Sequence, residues 1–192
     1  VHELPGGAHF TRVDYDSRGR DGISILAETL EDEHGRLERY NMQLLLHQPR
    51  ADLQPFKADF TFLDEYVQIG RRLGKADHEY SEVELAAGTL IHLPHYIFLG
   101  TMARNLVALG GQAPVFSINM SGQEPAGKMG KLLARDEGLD EVTLGSRTIT
   151  ARRFSLNRGS QILWLDDHDV PLRAQYHTQN ISVNLTRYAQ RP

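Results

Sequence analysis

One stretch of this chain, Thr89 to Gly111 (TLIHLPHYIFLGTMARNLVALGG), spaces its apolar residues at helical rather than strand period, and that contrast limits the possible folds. Beyond a turn at Pro94, Tyr96, Leu99, Met102, Leu106 and Leu109 can share one face, widened by Ile97 and Phe98, and Gly110-Gly111 supplies a stop. Most of the remaining chain alternates. The pattern predicts one principal helix, about residues 95–109, laid on a large antiparallel sheet.

The alternating segments follow in order. AHFTRVDY (8–15) is a first strand with Phe10, Val13 and Tyr15 turned inward, and ISILAETL (23–30) runs into EDEHG, an acidic hairpin turn. LERYNMQLLLH places Leu37, Tyr40, Met42, Leu44 and Leu46 at near-alternating positions. FKADFTF sets Phe56, Ala58, Phe60 and Phe62 against Lys57, Asp59 and Thr61. Residues 70–88 are polar and read as a loop with a short edge strand. After the helix, APVFSINMS alternates with both faces partly apolar, and KLLARDEGLDEV reads as a strand leading to a turn at Glu137-Gly138. Four further strand-length runs are separated by residues 157–159, 166–169 and 178–180.

About eight to ten strands with one helix, no internal repeat and no linker in 192 residues predict a single domain over 1–192. A sheet of that size curls, so the expected architecture is a curved antiparallel sheet, a half-open or closed barrel, wrapping the helix. Apolar residues make up 40% and charged residues 24%, a globular composition. No run reaches the roughly 20 apolar residues of a membrane span. The net charge of −4, with lysine and arginine scattered, argues against a nucleic-acid partner. Absence of cysteine removes disulfides, thiolate metal sites and cysteine nucleophiles, and suits an exported or a cytoplasmic protein equally. A first residue of Val rather than Met suits a processed form.

The order of a helix before a glycine (97–111), a glycine-led strand GSRTITARRFSL (145–156) and a hairpin ILWLDDHDVPLRAQY (162–176) resembles a group of bacterial exported proteins of unknown function. These are similar in fold to the periplasmic lipoprotein carriers, whose half-open barrel covers an apolar cavity with helices. The resemblance implies an exported or periplasmic location and an apolar or lipid ligand. The same half-barrel is reused for catalysis in pigment biosynthesis, so fold alone does not separate carrier from enzyme.

Candidate chemistry is sparse. His92 and His95 in HLPH could ligate a metal or move protons, but Pro94 between them opposes helical geometry and no HExxH accompanies them. Asp166, Asp167, His168 and Asp169 could form a cation cluster, yet they sit where a hairpin must turn, a position that favours Asp. Tyr176 is expected to point inward with Leu172 and Ala174, leaving His177 and Arg173 on the other face. EPAGKMGK lacks phosphate-loop spacing, and no GxSxG elbow is present. Asn-x-Ser/Thr triplets at Asn119, Asn180 and Asn184 arise readily in alternating strands.

The reading that follows is a binding protein holding an apolar or amphipathic small molecule between curved sheet and helix, with no cofactor and no metal. Its expected lining is Tyr40, Met42, Phe60, Phe62, Tyr96, Met102, Trp164 and Tyr176, aromatic and Met side chains that would otherwise be core. The alternative is a cofactor-independent enzyme on the same fold with His92, His95 or Tyr176 as proton donor or acceptor. A third reading gives the edge near Gly70–Gly88 to an envelope protein partner.

Overall fold

A computed structural model describes residues 2–19, 22–49, 51, 53–118 and 127–185. The Asn119 triplet and residues 122–126 of GQEPAGKMG lie outside them. The described residues are mainly β, antiparallel in almost every pairing, with one principal helix. They carry fourteen strands, more than eight to ten, because FKADFTFLDEYVQIG divides into two and β1 and β8 are too short to leave a periodic signal. No described helix is long and apolar enough to cross a membrane. The chain divides into two compact units, residues 1–87 with 119–127 and residues 88–118 with 128–192.

The first unit is a meander of β1 (His2–Glu3), β2 (His9–Asp16), β3 (Ile23–Glu31), β4 (Leu37–Leu46), β5 (Phe56–Phe62), β6 (Tyr66–Leu73) and β7 (Glu79–Glu84), paired in sequence order. Alternation and register together make its buried face. Thr29, Tyr40, Phe60 and Ile69 form one cross-strand row, and Ala27, Met42 and Ala58 the next. All of these are buried. Residues 70–88 therefore hold the end of β6 and the whole of β7, the last strand in the described sheet. Tyr15, expected inward, is 44% exposed: in β2 the buried position is Thr11, four residues earlier on the same side, and Tyr15 lies at the open end of the strand.

The second unit pairs β8 (Leu90–His92), β9 (Gln112–Ile118), β10 (Gly127–Leu144), β11 (Arg147–Leu156), β12 (Gln161–Leu165), β13 (Pro171–Tyr176) and β14 (Ile181–Asn184). β8 and β9 run parallel, with α1 (Leu99–Ala108) as their crossover, since parallel neighbours need a long connection. A 3-10 turn, Tyr96–Phe98, leads into α1. Leu99, Met102, Ala103 and Leu106 fall at i, i+3, i+4 and i+7 and pack on Val115, Phe154, Leu163, Leu165 and Ala174. Full burial of each large side chain contributes about 1.5–3 kcal/mol. The Gly110 N–H donates to the Val107 carbonyl and the Gly111 N–H to the Leu106 carbonyl, 3.0 and 2.8 Å, with both glycines at positive φ. That double bond pattern is a Schellman stop. Leu109, the C-cap, is consequently turned out of the apolar face, and Ile97 is also exposed.

Glu137-Gly138 is not a turn. β10 continues through it, with Glu137 bulged between the pairs Asp136–Phe154 and Gly138–Arg153, because Gly138 at φ 91 absorbs the extra residue without ending the strand. The chain reverses instead at Gly145-Ser146. A second bulge, between Trp164 and Leu165, moves Leu172 away from Ala174: Ala174 packs in the helix-side cluster, whereas Leu172 joins Val142, Ala151, Ile162 and Trp164. Leu172, Ala174 and Tyr176 therefore do not make one continuous apolar side.

Both units use the same hairpin turn. Asp32 Oδ1 accepts from the backbone N–H groups of His34 and Arg36, 2.9 and 2.8 Å, and Asp166 Oδ1 accepts from those of His168 and Val170, 2.9 and 2.8 Å. Gly35 at φ 75 and Asp169 at φ 64 occupy the equivalent left-handed position. The DDHD sequence is thus a side-chain-stapled turn, with Asp166 buried.

Candidate functional site

An open groove of about 600 Å³ lies on the first unit's sheet, on the side opposite its buried rows. Register builds it from three strands. Asp59, Gly70 and Tyr80 are cross-strand neighbours, and Thr61, Gln68 and Glu82 form the adjacent row. Asp59, Thr61, Gln68 and Gly70 flank the core residues Phe60 and Ile69, so period-two alternation sends them outward, and the register sets Tyr80 and Glu82 beside them. Gly70 supplies the depression. The Tyr80 ring lies over it, with Cε1 3.4 Å from where a Cβ would stand, as aromatic residues commonly cover a strand glycine. Tyr80 remains 80% exposed, and the His78 ring stacks on it with centroids 5.8 Å apart.

The polar groups of the groove are held in place. Gln68 Nε2 donates to Glu82 Oε1 at 3.0 Å, and Asp59 lies 3.5 Å from the Lys57 ammonium on the same strand face. This leaves carboxylate lone pairs, an amide carbonyl and the Thr61 hydroxyl facing solvent beside an aromatic ring. Acceptors of this kind beside an aromatic ring are complementary to hydroxyl-bearing or amphipathic rings.

The histidines and tyrosines singled out by sequence belong to the second unit. His92 Nδ1 lies 3.2 Å from Ser117 Oγ, its partner in the parallel β8–β9 pair. His95 precedes the 3-10 turn, its ring edge-on to Phe98 with centroids 6.2 Å apart. Burial pulls both imidazoles below their ordinary pKa, which keeps them neutral at neutral pH. Tyr96 and Tyr176 both pack against the helix-side cluster. Burial, and secondarily the nearby Tyr96 phenol, push the Tyr176 hydroxyl up. The structure thus brings these two tyrosines together at the entrance to α1. His177 is exposed on the turn after β13.

The remaining lining candidates are packed. Tyr40, Met42 and Phe60 are at most 1% exposed; the Tyr40 hydroxyl donates to Met42 Sδ at 3.3 Å, and its ring is 5.7 Å from that of Phe60. Phe62, half-buried, stacks on Phe60. Met102 is buried between α1 and its sheet. Trp164 lies on the opposite face of β12 from Leu163 and Leu165, donates from Nε1 to Asp140 Oδ2 at 2.8 Å, and is flanked by the guanidinium carbons of Arg173 and Arg153 at 5.1 and 5.6 Å from the ring centre. The Trp164 hydrogen bond, followed by the Glu141 N–H and the two arginines, holds the Asp140 carboxyl below its usual range.

Gly70, Tyr80 and Glu82 were not among the sequence candidates. The signal was present as outward polar positions at period two in three successive segments, D-x-T, Q-x-G and Y-x-E, with a glycine inside a strand pattern marking close approach. Among the described residues no group of three or more His, Asp or Glu side chains is placed to hold a metal ion.

No protein-family model matches the chain. No curated protein matches it either. Among solved structures it is similar to a beta-barrel-like protein of the domain of unknown function DUF1849 from Brucella abortus, at 14% identity and a TM-score of 0.41, over 91% of this chain and 71% of that one.

Proposed function

We propose that this is a binding protein for a small amphipathic molecule, and that the ligand seats in the groove over Gly70. The observation that carries the reading is the exposed Tyr80 ring beside outward-facing Asp59, Gln68 and Glu82, in a groove whose volume of about 600 Å³ falls within the range of small-molecule sites. In the second unit the layer between sheet and helix is filled by Leu99, Met102 and Leu106, which favours the groove over a seat under α1. A carrier-like half-barrel and an exported or periplasmic location belong to the same proposal, motivated by the sequence resemblance; an envelope protein partner at the Gly70–Gly88 edge is a separate reading that would use the same surface.

A second reading, a cofactor-independent enzyme, is favoured by one observation: neutral His95 adjoins Tyr96, which in turn lies beside the protonated Tyr176 phenol, at the start of α1. One titration separates the two. Amide NMR spectra are recorded while a mixed library of small ring compounds is added. The binding reading predicts shifts at the amides of Gly70, Tyr80 and Glu82. Shifts confined to 92–96 and Tyr176 overturn the groove seat, and turnover of that compound lost in His95→Ala then decides for the enzyme.

A further inference from the structure

We infer that the groove takes a saccharide, an uncharged six-membered polyhydroxylated ring whose C–H face lies on Tyr80. The inference rests on the binding reading above and adds the chemical class of ligand. Three observations carry it. First, Tyr80 is 80% exposed, with one ring edge turned over Gly70 and the His78 ring stacked on it, so that it presents aromatic surface to solvent in the groove. An exposed aromatic face suits the apolar face of a ring.

Second, the polar groups stand on neighbouring strands. Strands are spaced about 4.8 Å apart, comparable to the width of a sugar ring. Asp59 and Thr61 on β5 and Glu82 on β7 stand two strand spacings apart, about 9.6 Å, with Gln68 on β6 between them, so a ring lying across β6 meets hydrogen-bonding groups on both sides. Third, the carboxylates are already engaged. Asp59 faces the Lys57 ammonium at 3.5 Å, and Glu82 accepts from Gln68 at 3.0 Å. The charge of Asp59 is paired with Lys57, whose ammonium would repel an organic cation, whereas Glu82, bonded to a neutral amide, keeps its charge, and choline is the comparison that tests it. Hydroxyl groups need only the remaining lone pairs, and carboxylate acceptors form stronger hydrogen bonds to them than neutral acceptors do.

The test uses maltose, cellobiose and N,N′-diacetylchitobiose as probes, choline as the cationic comparison, and the full chain. Amide spectra and saturation-transfer signals are recorded for the native protein and for Tyr80→Ala, Tyr80→Phe and Glu82→Gln. At least one disaccharide is expected to shift the Gly70 and Tyr80 amides. Its affinity should fall roughly tenfold or more in Tyr80→Ala, be kept in Tyr80→Phe, and weaken in Glu82→Gln, which leaves the fold untouched. Shifts by choline with none by any disaccharide overturn the saccharide assignment and leave the groove as a binding site. Silence of the groove towards these probes and towards the ring-compound library removes both.

Discussion

Gly100 sits directly against the backbone carbonyl of Asp169, so closely that a Cβ on Gly100 would fall well inside contact distance of that oxygen and 3.3 Å from Leu165 Cδ2. Glycine inside a helix costs about 1 kcal/mol relative to alanine, and here it admits the β12–β13 turn to the first turn of α1. Arg104, one turn on, forms an ion pair with Asp169 on the same side. Replacing Gly100 with alanine should therefore destabilise the protein despite alanine's better helix propensity. The expected cost is about 1–3 kcal/mol or more, a fall of roughly 2–4 °C in Tm per kcal/mol. Gly130→Ala is the control, since nothing lies within 4 Å of a Cβ there. Equal melting temperatures for the two variants would contradict the close contact.

The buried Asp166 should matter through its oxygen rather than its charge. Oδ1 holds the N–H groups of His168 and Val170, so Asp166→Ala leaves two turn donors to find water in a half-buried place. A loss of about 1–3 kcal/mol is expected by chemical denaturation, while Asp166→Asn, which keeps an acceptor, should retain most of the stability. Asp32→Ala in the equivalent turn of the first unit should change stability in the same direction. Its effect should be smaller, because that turn does not brace a helix.

The difference between what was legible in the sequence and what was not follows from these residues. The helix and the strands with one apolar face announced themselves because burial imposes a period, as at Leu99, Met102 and Leu106 or at Tyr40, Met42 and Leu44. The Glu137 bulge and the Leu172 displacement left no such mark. Each is a one-residue change of register that depends on the partner strand. The groove was hidden for a different reason. Tyr80 and Gly70 lie ten positions apart in chain and meet only through antiparallel pairing, and outward polar residues are read by default as solvated surface.

Between pH 5 and 6.5 stability should depend on His92 and His95. Both have folded-state pKa values depressed by burial below the ordinary 6.5, so the unfolded chain binds protons more tightly. Above about pH 6.5 both states are neutral and the contribution is level. As pH falls below it, protons favour unfolding and Tm should drop. His92→Gln with His95→Gln should flatten that part of the curve. Glu31, whose pKa burial raises, acts with the opposite sign and nearer its ordinary 4.5, so the two slopes are separable. A Tm profile unchanged by the double variant across pH 5–6.5 would mean that the two rings are not buried as neutral groups.

Trp164 offers a probe of the opposite face of the second sheet, because it is the chain's single tryptophan and its Nε1 bonds Asp140 at 2.8 Å. Emission should be that of a buried indole and steady through the histidine range. Asp140's carboxyl is held below its ordinary 3.8, so the stabilisation it lends is present above that value and is lost as pH falls through the lowered folded pKa. Fluorescence should therefore change only below about pH 3.8. In Trp164→Phe the strongest cause of the depression is gone, and the Asp140 carboxyl resonance should titrate closer to the ordinary value, with the Glu141 N–H, Arg153 and Arg173 still lowering it. A fluorescence transition near pH 6, or an Asp140 titration unmoved in Trp164→Phe, would show that the indole hydrogen bond does not set this carboxylate's acidity.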